Sequence, residues 1–138
     1  MIILISGSRE YSDLEFVKEY VKLLPSDTIL LNGRARGVDN VARNTALFND
    51  IRVRDYPAEW RKYGKGAGFI RNHIMVDLAE LIICFWDGES PGTKDVIDYS
   101  LQQNKPLVVY NKFCVKEEFN TENIEFLSKP LEVENGWE

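Results

Sequence analysis

The sequence predicts an α/β protein: a doubly wound parallel sheet of about five strands in the order 3-2-1-4-5, with helices on both faces. Three observations predict it. Short apolar runs alternate with segments of helical spacing along most of the chain. The runs at Ile2 to Ile5 and Glu80 to Trp86 are nearly continuous in apolar residues, as strands covered on both faces are. The first, second and fourth runs each hand over to a polar, glycine-bearing loop.

The first strand, Ile2 to Ile5, meets the turn Ser6-Gly7-Ser8. Asp13 to Leu24 then carries Leu14, Val17, Val21 and Leu24 at helical spacing, and Pro25 ends that helix. Thr28 to Leu31 is the second strand and Val38 to Phe48 the second helix. Arg52 to Tyr56 reads as a third strand, and residues 57–65 as a loop rich in aromatic and basic groups. A third helix runs from Gly68 to Ala79, with Ile70, Ile74, Met75, Leu78 and Ala79 on one side. The fourth strand, Glu80 to Trp86, leads to a helix over Thr93 to Gln103 and a fifth strand, Leu107 to Tyr110. Residues 1–110 are thus read as the domain. Residues 111–138 are an acidic extension expected to pack on it, with a short helix from Glu117 to Leu127 burying Phe119, Ile124 and Leu127.

Composition sets bounds. A chain of 138 residues is one domain by length, and 44% hydrophobic and 12% aromatic content can fill a core. The net charge of −5 argues against nucleic acid as a partner. That charge is uneven. Residues 34–71 hold nine basic and four acidic groups, a net of +5, whereas residues 111–138 hold three lysines and seven glutamates, a net of −4. An acidic protein with a basic middle suits a small anionic ligand. Cys84 and Cys114 read as small hydrophobes in a reducing compartment, and the single His73 leaves no cluster for structural zinc. No signal peptide is apparent and no apolar run reaches the ~20 residues of a membrane span, so a soluble cytoplasmic protein is expected.

The candidate site follows from the fold. In the order 3-2-1-4-5 the sheet reverses direction between strands 1 and 4, and ligands bind outside the carboxyl ends of the strands at such a point. Gly7, Ser8 and Arg9 leave strand 1 there. Neither a dinucleotide fingerprint nor a P-loop is present, so those two nucleotide-binding modes are not supported. The stretch Gly33-Arg34-Ala35-Arg36-Gly37-Val38-Asp39 joins strand 2 to a helix, where peptide N–H groups can receive an anion. The two-residue spacing of Arg34 and Arg36 around a turn lets one of them enter the site. Asp39 suits either a helix cap or ligand contact. In the segment from Trp60 to Asn72, Lys65 lies among three glycines, and Trp60 or Tyr63 could stack on a base or pin the loop. Arg71 and Asn72 fall in the first turn of the helix predicted from Gly68. A cation there opposes the helix dipole, which suggests that Arg71 is held to pair with a carboxylate or phosphate. Gly92 and Thr93 follow strand 4, Thr93 serving as cap or phosphate donor.

Four ordered motifs, G-S-R, G-R-A-R-G-V-D, W-x-x-x-G-K-x-A-G-x-x-R-N-x-x-M and P-G-T, together resemble the SLOG superfamily. This is a Rossmann-like group that includes the DprA/Smf DNA-uptake factors and the LOG phosphoribohydrolases, and the nearest likeness is to its small YspA-like branch. The resemblance implies a nucleotide or nucleotide derivative in the crevice. Gly7, Ser8, Arg9, Gly33, Arg36, Gly37, Asp39, Lys65, Arg71, Asn72, Gly92 and Thr93 would line it, with no cofactor or metal required. It also implies a homo-oligomer. The expected function is to sense or sequester a phosphate-bearing ligand. The alternative is LOG-like N-glycosidic hydrolysis of nucleoside 5′-monophosphates, against which Val96 stands where the LOG motif places its catalytic glutamate. DNA binding of the DprA type fits the fold but not the charge or the size.

Overall fold

The computed structural model describes residues 1–128. Six strands form one sheet in the order β3-β2-β1-β4-β5-β6, made of β1 (Ile2–Gly7), β2 (Ile29–Asn32), β3 (Arg52–Asp55), β4 (Leu81–Phe85), β5 (Leu107–Tyr110) and β6 (Lys116–Phe119). The first five are parallel, and β6 runs antiparallel to β5. The predicted α/β architecture and the 3-2-1-4-5 order are therefore present, extended by one strand.

Alternation along β1 explains the two layers of helices. Ile3 and Ile5 point into one core with α1 (Leu14–Lys22) and α2 (Val38–Phe48), while Leu4 points into the other. That second core is filled by Met75, Val76 and Ala79 from or just after α4 (Ala67–Leu78), and by Val96 and Ile97 from α5 (Pro91–Gln102). With β1 and β4 central, every residue of Leu81–Phe85 is buried. On the α1 side the core is aromatic: Phe85 meets Tyr11, Phe16 and Tyr20 edge to face at 5.6–6.0 Å between ring centres. Such pairs add orientation to area burial.

Two expectations are corrected. Residues 57–65 are not wholly a loop, because α3 (Trp60–Tyr63) makes one helical turn and Gly64–Gly66 a 3-10 turn. Glu117 to Leu127 is not a helix. A turn with Cys114 at φ 61° sends the chain back along β5, so that β6 pairs Phe119 with Leu107 and Lys116 with Tyr110. The peptide groups on the free edge of β5 thereby gain partners that a helix would have left them without. Ile124 still reaches the aromatic core, and Glu125–Ser128 is a 3-10 turn. The remainder of the acidic extension lies outside the described residues. Among the described residues no helix is long and apolar enough to cross a membrane.

Candidate functional site

At the carboxyl ends of β1, β2 and β4 lies a crevice of about 510 Å³. The register of β1 against β4 builds its floor. Gly7 pairs with Phe85, and the next peptide closes when Ser8 N–H donates to the Phe85 carbonyl at 2.9 Å. The Ser8 hydroxyl then joins both walls, accepting from Asp87 N–H at 3.1 Å and meeting the Ser90 hydroxyl at 2.6 Å. Gly7 is needed for packing: a Cβ there would lie 2.6 Å from three side-chain atoms of the buried Val38, which opens α2.

The loop from β2 to α2 forms the second wall. Asn32, fully buried, donates from Nδ2 to the Asp39 carbonyl at 2.8 Å and accepts at Oδ1 from Arg34 N–H at 2.8 Å. These bonds bend the chain through Arg34 at φ 59° and Gly37 at φ 76°. A Cβ on Gly37 would sit 2.5 Å from the Arg9 carbonyl oxygen, so the glycine lets the two loops touch. The turn separates the two arginines. Arg36 lines the crevice, whereas Arg34 points to Asp55 at 3.9 Å.

Asp39 lies in the first turn of α2 without capping it. Its Oδ2 accepts from Ala35 N–H at 3.2 Å, and no side chain caps the helix. Buried to 5% exposure, the carboxyl is pushed up to about 6 by desolvation, against the opposing pull of peptide N–H groups and the Arg71 guanidinium. Its Oδ1 completes no hydrogen bond among the described residues. Arg71, half-buried, donates from Nη1 to the carbonyls of Gly33 and Tyr56 and from Nε to Asn72 Oδ1. Carbonyls therefore hold it, while its Nη2 makes no hydrogen bond among the described residues.

The third wall is the start of α5. Pro91 opens that helix and Ser90 stands at the cap position, so Thr93 is a buried first-turn residue and not the cap. Ser90 spends its hydroxyl on Ser8, which leaves the helix start without a side-chain cap. Asn72 donates to the Gly92 carbonyl and to Asp95, both at 3.3 Å, and His73 meets the other Asp95 oxygen at 3.0 Å. This network locks α4 to α5 at the crevice.

Most predicted residues meet here: Gly7, Ser8, Arg9, Arg36, Asp39, Arg71, Asn72, Gly92 and Thr93 all line the crevice. Gly33, Gly37 and Lys65 do not. Gly33 lies under Arg71 and Asp39, where a Cβ would be 2.9 Å from Arg71 Nη1; Gly37 supports the loop contact, and Lys65 is exposed in the 3-10 turn. Sequence reasoning missed Asn32 and Ser90 as structural members of the site. Ser90 carried a signal in its position directly before a helix-opening proline. Val96, which the resemblance sets against the LOG glutamate, is fully buried in the core beneath α5.

No family model matches the chain. A relative is the gene 61 protein of Mycobacterium phage D29, 29% identical over 117 residues, which cover 77% of this chain and 93% of the phage protein. Among solved structures, DNA processing protein A from Helicobacter pylori superposes with a TM-score of 0.60 at 19% identity. The match covers 79% of this chain and 64% of that one, so the chain spans less than two thirds of the neighbour's length. The fold is that of DNA processing protein A. That protein is described by its single-stranded DNA binding mode. Two expectations are corrected by this finding: that the DprA-like fold here serves a small nucleotide-like ligand or its hydrolysis, and that nucleic acid is not a partner. The second rested on net charge, which averages over the whole chain. The span 34–71, which supplies the loop of Arg36 and the first residues of α4, is net +5 within a chain of net −5. Recognition responds to that local field.

Proposed function

We propose that the chain binds single-stranded nucleic acid and holds backbone phosphates of the strand in the crevice between β1 and β4. One observation carries the reading. Arg9, Arg36 and Arg71 converge with the uncapped starts of α2 and α5, and the chain leading into α4 continues as an exposed run of cations and aromatics, Trp60 to Lys65. Uncapped helix starts present peptide N–H groups to an anion. Interleaved cations and aromatics are what a single strand needs, since every base offers a face to stack on and every nucleotide a charge. The fold shared with DNA processing protein A supports the same reading. In this proposal the chain stands in the YspA-like branch of the SLOG group, works in the cytoplasm and self-associates, with residues 1–110 as the binding domain and the acidic extension packed against it.

Arg9 and Arg36 are exposed and make no ion pair among the described residues, so replacing them leaves the fold intact. Fluorescence anisotropy with a labelled oligothymidylate is expected to show the Arg9→Ala, Arg36→Ala double variant binding about 100-fold or more weakly, at about 1.5 kcal/mol or more per charged hydrogen bond lost. Unchanged affinity in the double variant would overturn the proposal.

A further inference from the structure

The exposed segment before α4 contains two aromatic rings, and the geometry distinguishes them. Lys62 Nζ lies 5.0 Å from the centre of the Tyr63 ring, so one face of that ring already carries a cation. Trp60, 58% exposed, has no ring or cation against it among the described residues. Its indole edge instead leans over Gly68. A Cβ built on Gly68 would lie 3.6 Å from Trp60 Cη2 and 3.8 Å from Arg71 Nη2. The tryptophan and the unbonded end of Arg71 therefore both approach one spot, where Gly68 places no side chain.

Resting on the proposal that a single strand lies in the crevice, we infer that Trp60 is the stacking platform for a base whose phosphate is held by Arg71. The juxtaposition fits the covalent reach of one nucleotide. Arg71 offers a donor to the phosphate on the crevice side, and Trp60 offers a face to the base on the α3 side, less than 8 Å away through the Gly68 position. Arg61, Lys62 and Lys65, all exposed and within five residues of Trp60 in the chain, supply the attraction for the neighbouring phosphates. The contact is to the π-face, so it is made with any base, and it requires a base that is unpaired. The site is thereby specific for single strands without reading their sequence.

The test compares two probes on the full chain: a labelled oligothymidylate of about 16 nucleotides, and the same oligomer with every base replaced by an abasic residue. Trp60→Ala is expected to weaken the thymidylate by about 5-fold to 100-fold and to leave the abasic oligomer unchanged, whereas Trp60→Phe keeps most of the affinity. Trp60 is 58% exposed and outside both core clusters, so the variants fold; a far-ultraviolet spectrum checks this. Equal losses on both probes, or no loss on thymidylate, overturns the inference while leaving crevice binding intact. Failure of the wild type to bind either probe removes the stacking inference together with the reading on which it rests.

Discussion

Asp39 is the residue on which the electrostatics of the crevice turn. Its carboxyl is buried under Arg71 beside the buried Cys84 thiol, which the same burial and the Asp39 charge push far up and keep neutral. Because the folded value of about 6 lies above the ordinary 3.8, the folded chain binds more protons than the unfolded chain between those values. Stability contributed by neutral Asp39 is complete below about 4 and is lost as pH rises to about 6, an effect of order 3 kcal/mol for a buried group. Asp39→Asn keeps an acceptor for Ala35 N–H and abolishes the titration. Urea unfolding is expected to show the variant gaining on the wild type from pH 4 to pH 7, and a constant difference across that range would refute the assignment. The same proton removes a negative charge from the crevice. Oligothymidylate affinity of the wild type should therefore rise from pH 7 to pH 5 more steeply than that of Asp39→Asn.

At the scale of elements, three loops converge because glycine and asparagine permit it. Gly37 has φ 76° and ψ −122°, and its Cα faces the Arg9 backbone, which has no side chain to yield. Gly37→Ala is expected to lower stability by at least about 1–3 kcal/mol, read from the urea midpoint, because both the dihedral and the contact oppose a Cβ. A midpoint within experimental scatter of the wild type would contradict this account of the loop contact. Elements were legible in the sequence to the extent that periodicity and punctuation agree. The strand at Leu107–Tyr110 and the helix at Val38–Phe48 have the expected bounds. Lys116–Phe119 was not legible, since Lys-Glu-Glu-Phe carries no strand pattern and is recruited by the open edge of β5. The cap of α5 was misread at Thr93 because Ser90 answers to Ser8, 82 residues away, and local spacing carries no trace of that contact.

At the scale of the whole molecule, the charge distribution matters more than its sum. Grouping Arg9, Arg36, Arg71 and Asp39 required only the topology, and the topology followed from alternating apolar and amphipathic segments. What the sequence did not disclose was that Arg71 is held by the carbonyls of Gly33 and Tyr56, a contact across the fold, or that Trp60 and not Tyr63 keeps an uncovered ring, which turns on the side-chain conformation of Lys62. The acidic balance of −5 averages over the whole chain and hides the net +5 of residues 34–71. Salt dependence measures the local field directly. Titrating oligothymidylate onto the wild-type chain at a series of salt concentrations is expected to give a slope of log affinity against log salt near −2, about 0.7 for each of the phosphates met by Arg9, Arg36 and Arg71. A slope indistinguishable from zero, or no binding even at low salt, would contradict the claim that this crevice holds a nucleic-acid backbone.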